Sequence, residues 1–334
     1  MSSSFEKINY SLRPNKGIER KMMCEAFNRL ALLDHLSNYR YIGMGSAYFA
    51  DFILFHKNLG IKDLVSIEKE EAKKARFEFN KPFSCIDIKY GNSSTILPNL
   101  ELEKKKNIVW LDYDDKLSDF MFADIDTFFA NSATGSLFLL SVNVEEAYLP
   151  SKQDGEQKQS LKEYRLEEML GRVGYERLPN EFMDLNFNTK NRTMVSFEMV
   201  RRQINTTLIT RNLSTENKVY YKQLFNFIYS DNATILTVGG ILYDESQKDK
   251  LNEMSFSNLD FIREQDEAYR ISAPNLTLRE IKALDKALPD KHNIETERGK
   301  FKNKKLEEIP VIPSDIQSYA KVYRYYPNFA EALI

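Results

Sequence analysis

The sequence predicts an α/β protein built on a mostly parallel sheet that finishes in an antiparallel hairpin. Three observations carry this. Buried-type apolar runs alternate with helical patterns between residues 40 and 144. Within them, residues 40–70, RYIGMGSAYFADFILFHKNLGIKDLVSIEKE, read as strand, glycine turn, helix and strand, closed by a carboxylate. Near the end of the domain, two strand patterns, 224–229 and 233–243, flank the turn pair Asp231-Asn232.

The elements follow in chain order. Residues 11–16, SLRPNK, are expected to be a loop held by Pro14, with a helix beginning near Gly17. Ile18, Met22, Ala26, Phe27, Leu30 and Leu33 space its apolar side. Arg13, Lys16, Arg20 and Lys21 are either its solvated face or a basic rim over a ligand crevice. Tyr41 and Ile42 end the first strand, and Gly43 and Gly45 bracket a turn where backbone can approach a ligand. A helix from Ala47 to Asn58 stops at Gly60, and Leu64, Val65 and Ile67 lead to Glu68 at the end of the second strand. A charged helix, 70–80, precedes Pro82, and the strand 85–90 ends in Gly91-Asn92. Residues 96–100 read as a return toward the sheet. Ile108 to Leu111 is a buried-type strand holding the only tryptophan, and it delivers Asp112, Tyr113, Asp114 and Asp115. A helix over 117–130 leads to the strand 136–144. The polar run 150–160 has the composition of a lid or mobile loop. Helices over 161–173 and 193–210 precede the hairpin.

Composition excludes several classes. A net charge of −2 over 334 residues argues against a generally basic nucleic-acid binder. Cys24 and Cys85, the only cysteines, provide neither a disulfide framework nor zinc spacing, so a reducing cytoplasm is expected. MSSSFEKINY lacks a signal-peptide pattern, and no apolar run approaches the ~20 residues that span a bilayer.

The βαβ unit places a crevice at the carboxyl ends of its strands, where Glu68 can accept two hydrogen bonds from a ribose diol. A dinucleotide turn wants a third glycine for close helix–strand packing, and Tyr48 stands there. S-adenosylmethionine needs only the glycine turn and the acid. Gly43, Gly45, Ser46, Glu68, Asn92 and Asp112 are therefore the candidate cofactor contacts, with Asn92 where an adenine ring would sit. Three carboxylates within four residues at a strand end need a purpose. Asp112 and Asp114 are the candidate catalytic groups, while a solvated loop with Ser118 capping the next helix is the plainer alternative.

The chain also resembles a bacterial family of O-methyltransferases whose methyl acceptor is unassigned. The blocks that carry the resemblance are SLRPNKGIERKM, YRYIGMGSAYFADFILFHKNLGI, VSIEKE, IVWLDYDD, YSDNATILTVGG, RISAPNLTLREI and YRYYPNFAE, spread from Ser11 to Glu331. The resemblance implies the Rossmann-like class I methyltransferase fold. Its sheet is seven-stranded and mostly parallel with a terminal β-hairpin, and an N-terminal helix and a helical C-terminal extension are added. It implies a catalytic domain over residues 1–244 and an extension over 245–334. It implies S-adenosylmethionine contacts at Gly43, Gly45 and Glu68; the turn departs from the commoner class pattern at Ser46. A non-catalytic partner or sensor, in a bacterial defence or mobile-element system, is the alternative.

The acceptor is read from residues 112–115. Base-modifying enzymes place Asp/Asn-Pro-Pro-aromatic there, and this chain has Asp-Tyr-Asp-Asp. A hydroxyl or carboxyl acceptor fits better, with a carboxylate as general base. Catechol-type enzymes bind Mg²⁺ through an Asp after the fourth strand and an Asp-Asn pair after the fifth. Asp112 and Asn143 match, but Val142 replaces the second Asp, so no metal ligands are assigned. His35 and His56 read as surface or core histidines. In the extension, Thr277-Leu-Arg-Glu280 is a capping box. Lys300, Lys302, Lys304 and Lys305 read as a solvated linker or a contact for nucleic acid or nucleotide. Tyr319, Tyr323, Tyr325, Tyr326 and Phe329 are too aromatic for a linker, so the final helix is expected to dock on the catalytic domain or a second subunit.

Overall fold

The computed structural model describes residues 13–149, 159–289, 296–297, 300–301, 306 and 309–327. Five parallel strands open the sheet: β1 (Arg40–Gly43), β2 (Asp63–Glu68), β3 (Ile86–Tyr90), β4 (Asn107–Lys116) and β5 (Leu137–Asn143). The hairpin β6 (Val219–Ser230) and β7 (Thr234–Asp244) closes it, with β7 antiparallel to both β5 and β6. A two-residue strand, β8 (Tyr269–Arg270), pairs parallel with β6. Among the described residues the order is 3-2-1-4-5-7-6-8. This is the seven-stranded Rossmann-like sheet of the class I methyltransferases, hairpin included, plus one strand that two residues were too few to announce. The order reverses between β1 and β4, which puts the ligand crevice outside their carboxyl ends.

The helices are α1 (Pro14–Asn28), α2 (Ala50–Leu59), α3 (Lys74–Asn80), α4 (Ser93–Ile96), α5 (Asp119–Asn131), α6 (Leu161–Val173), α7 (Thr189–Leu213), α8 (Lys248–Glu253), α9 (Leu278–Asp285) and α10 (Pro313–Val322). Strand alternation sends Tyr41 and Trp110 to one side of the sheet and Ile42, Val109 and Leu111 to the other. The first side packs Phe27 of α1 and Phe52 and Phe55 of α2. The second packs Phe128 and Phe129 of α5 and Val200 of α7.

Several expectations are corrected. Pro14 starts α1 and does not merely hold a loop, because the first turn needs no N–H from it. The solvated-face reading of α1 fails for Lys16 and Arg20, which are buried with Asn15 and Glu19, while Lys21, Glu25 and Arg29 are half-buried. Residues 96–100, expected to lead back toward the sheet, do so through the end of α4 and a 3₁₀ turn at Leu97–Asn99. β4 does not end at Leu111. It runs to Lys116, with a register shift between Asp112 and Lys116 against β5. α7 starts at Thr189, four residues ahead of the expected start, capped by Asn188, whose side chain accepts from Asn191 N.

Residues 150–158 of the expected lid, Lys302, Lys304, Lys305 and Phe329 lie outside the described residues. Lys300–Phe301 pairs antiparallel with Thr296–Glu297. The expected capping box is present at Thr277 and Glu280. The final helix docks within its own chain. Ile316 and Tyr319 of α10 pack with Leu284 of α9, and Val322 and Tyr325 join the core that holds Phe27. Among the described residues, no helix is long and apolar enough to cross a membrane.

Candidate functional site

A cavity of about 690 Å³ opens at the carboxyl ends of β1 to β4. The turn after β1, the end of β2, the start of α4 and residues 112–115 of β4 form its wall. Of the candidate residues, the structure brings Gly45, Ser46, Glu68, Asn92, Asp112 and Asp114 to this cavity. Gly43 is not on its lining.

The glycine turn is built differently from the expectation. A Cβ on Gly43 would meet the Tyr41 phenol at 2.5 Å. One on Gly45 would meet the Phe49 ring at 2.5 Å and Ser66 Oγ at 2.9 Å. Both positions are glycine to admit the protein's own side chains. The turn then closes through two left-handed non-glycine residues, Ser46 (φ 51°) and Phe49 (φ 47°). Such geometry costs of order 1 kcal/mol per residue and persists where surroundings impose it. At Ser46 the surroundings are visible: its N–H donates to Glu68 Oε1 at 2.8 Å. Ser66, which no pattern in the sequence singles out, ties the two together. Its hydroxyl accepts from Gly45 N at 3.0 Å and donates to Glu68 Oε1 at 2.9 Å.

Glu68 is only 8% exposed yet lines the cavity. Burial pushes its carboxyl up to about 7, against the lowering effect of the Ser66 and Ser46 hydrogen bonds. Asp112 has the opposite fate. Burial works against its charge, but Lys16 first, then Arg13 and Arg20, outweigh burial and hold the carboxyl below its ordinary value. Lys16 Nζ lies 2.8 Å from Asp112 Oδ1, and Lys16 itself is fully buried. The basic residues of α1 therefore divide. Lys16 and Arg20 reach the site, Arg13 pairs with Asp231 at 3.7 Å, and Lys21 Nζ donates to Tyr325 O at 3.1 Å.

Asp114 and Asp115 sit exposed on the rim. Asp115 pairs with Arg172 at 3.0 Å. Ser118 does not cap α5 with its side chain; its hydroxyl donates to Lys116 O. Behind the wall, the hydroxyls of Ser93 and Tyr113 both donate to Asp124 Oδ2, and burial raises the Asp124 carboxyl. Asn92 precedes α4 and is exposed, with no side-chain cap bond.

His35 is exposed and bonds Ser37, while His56 Nδ1 donates to Ile61 O at 2.8 Å; neither lines the cavity. Asn143, half of the catechol-type match, accepts from Glu145 N and is not on the cavity. Among the described residues no group of three or more His, Cys, Asp or Glu side chains has the spacing of a metal site.

The family model described as "Putative O-methyltransferase" matches residues 8–334. The chain belongs to this family. No curated protein matches it. Solved structures with partial likeness include Trm1 from Pyrococcus horikoshii, in complex with S-adenosyl-L-methionine (11% identity, TM-score 0.41, 76% of this chain and 61% of that one). Another is the O-methyltransferase TomG from Streptomyces achromogenes (13%, TM-score 0.34, 65% and 78%). A third is a "putative S-adenosylmethionine dependent methyltransferase" from Listeria monocytogenes (13%, TM-score 0.28, 37% of this chain). This chain spans 54% of the Listeria chain's length. The family assignment rests on the full-length match and the strand order, and these distant likenesses add nothing to it.

The residues present fit the donor molecule that the fold implies. A buried carboxylate on the cavity wall, fixed by Ser66 and Ser46, offers the acceptor a ribose diol needs. Asp112 offers a second anion, held ionised, for a cationic ligand.

Proposed function

We propose that this protein is an S-adenosylmethionine-dependent methyltransferase that acts on a hydroxyl or carboxyl oxygen. The observation that carries the reading is the cavity at the switch point of the sheet, with buried Glu68 on its wall. When bound, the donor supplies an electrophilic methyl on a sulfonium, and its sulfur leaves as a neutral thioether.

The chain's own residues bind, orient and take the proton. Glu68 accepts from the ribose hydroxyls, and Gly45, Ser46 and Asn92 border that part of the cavity. Asp112, already paired with Lys16, is a weak proton acceptor. Asp114, an exposed carboxylate on the rim beside Asp112, takes the proton of an acceptor hydroxyl as its oxygen bonds the methyl carbon. A carboxyl acceptor needs no base. The Asp-Tyr-Asp-Asp sequence has no proline-backed amide clamp for an exocyclic amine, which supports an oxygen acceptor.

The test is transfer of labelled methyl from S-adenosylmethionine to small molecules of a cell extract by the purified protein. Label on oxygen supports the reading, and label on a base nitrogen overturns the acceptor class. Donor binding with no transfer to any fraction would favour the sensor alternative. Asp114→Asn should keep donor affinity and lower the rate on hydroxyl acceptors by about 10²-fold or more.

A further inference from the structure

Fully buried charge is costly, and here it is concentrated behind a single cavity residue. Lys16 and Glu19, both 0% exposed, meet at 2.8 Å between Lys16 Nζ and Glu19 Oε2. The same ammonium contacts Asp112 Oδ1 at 2.8 Å and sits 4.1 Å above the Trp110 ring centroid. The far side of the network is also ordered. Trp110 Nε1 donates to Ser141 Oγ at 2.9 Å, Ser141 and Thr237 share a hydrogen bond of 2.7 Å, and the Thr237 hydroxyl donates to Glu19 Oε1. Well-packed apolar side chains of similar volume would often be as stable as such a network or more so. The network reaches the cavity at Asp112, whose side chain is 24% exposed.

We propose that Lys16 is a positioning residue. It holds Asp112 ionised and fixed, so that Asp112 anchors the cationic half of the methyl donor, its sulfonium and α-ammonium, and does not serve as the proton acceptor. The inference rests on the donor assignment made above. Three features support it. Lys16 enters from α1, and its position is set by the chain outside the βα units. The cation–π contact with Trp110 fixes the ammonium from below. Lys16 divides its single charge between Glu19 and Asp112, so it does not fully neutralise the carboxylate that reaches the cavity. The charged groups that face Asp112 are Lys16, Arg13 and Arg20 from the N-terminal segment and Asp51 from α2; the Tyr41 and Tyr229 phenols lie near it, and Glu19 faces Lys16.

The test compares three probes by calorimetry: S-adenosylmethionine, S-adenosylhomocysteine and 5′-methylthioadenosine, which keeps adenine and ribose but carries neither cation. Asp112→Asn should weaken S-adenosylmethionine by about tenfold or more and leave methylthioadenosine within about twofold. Glu68→Ala should weaken all three alike. In Lys16→Met, Asp112 and Glu19 lose their counterion and hold an extra proton in the free protein, so binding of S-adenosylmethionine should release about one more proton across pH 5–8 than in the wild type. Lys16→Arg should restore the wild-type proton count. Equal losses for all probes in Asp112→Asn, or an unchanged S-adenosylmethionine affinity, would overturn the proposal. A Lys16→Met protein that is folded and keeps the wild-type pH profile would do so as well. If Lys16→Met does not fold, the Asp112→Asn comparison decides alone. Failure of the wild type to bind any of the three probes overturns the donor assignment, a result distinct from failure of the anchor.

Discussion

Glu68 and Asp112 show how two carboxylates on one cavity acquire opposite properties. Burial raises the Glu68 carboxyl to about 7, with Asp51 and Glu70 adding to the rise and the Ser66 and Ser46 hydrogen bonds opposing it. Asp112 is half-buried beside the Lys16 ammonium, which outweighs burial, so its carboxyl falls. A ribose diol donates to the ionised form of Glu68. Donor affinity should therefore drop as pH falls below about 7 and level off above it, which calorimetry across pH 5–9 would show. A flat profile would remove Glu68 from the site. Gly45→Ala places a methyl group against the Phe49 ring and Ser66 Oγ. It should cost about 1–3 kcal/mol in thermal unfolding and weaken the donor, because Ser66 also holds Glu68. Glu68 was legible in the sequence because a carboxylate that closes a βαβ unit stands at the mouth of its crevice. Ser66 was not, since a serine inside an apolar strand gives no sign of what it bonds. The glycines were legible as a turn, but not the Tyr41 and Phe49 rings that fill their Cβ space, because only the folded turn shows them there.

At the scale of elements, α1 matters most. The backbone N–H groups of Asn15 and Lys16 donate to the Asp231 carboxylate at 3.1 and 2.9 Å, so the tip of the β6–β7 hairpin caps the helix. The Asn15 side chain donates in turn to Ser230 O and accepts from Ala273 N. Asp231→Ala should lower stability by about 0.5–2 kcal/mol, the usual worth of a helix cap, measured as a shift in urea midpoint. Because Lys16 sits in that first turn, donor affinity should fall with it. Apolar spacing located α1 in the sequence, but periodicity reports only which side is apolar. It cannot report that the opposite side is also buried, because the partners Asp112 and Asp231 are about 100 and 215 residues away. β4 was legible up to Leu111, where the apolar run ends. Its continuation to Lys116 is imposed by pairing with β5 through a register shift, and the carboxylates there line a cavity that local sequence does not show.

For the whole molecule, the strand order was readable because each βα repeat and the hairpin turn announced themselves locally. The place of the C-terminal segment was only half readable. Its tyrosines required burial, and two surfaces supply it: α9 for Tyr319 and Tyr323, and the core around α1 for Tyr325. Arg324 pairs with Glu25 at 2.9 Å, the Tyr325 hydroxyl donates to Glu25, and Tyr269 donates to Lys321 O at 3.2 Å. Truncation after Leu306 should expose the core around Phe27 and lower the melting temperature. An unchanged melting temperature would mean the packing contributes nothing. The same segment grips the helix that supplies Lys16, so the truncated protein should also bind the donor less tightly. The central claim is that the cavity at the switch point holds S-adenosylmethionine through Glu68. Titration calorimetry of the intact protein with S-adenosylmethionine and with NAD at pH 8, repeated on Glu68→Ala, tests it most directly. The account predicts binding of S-adenosylmethionine alone, weakened in the variant by about 1–3 kcal/mol. Binding of NAD, or equal S-adenosylmethionine affinity in both proteins, would contradict it.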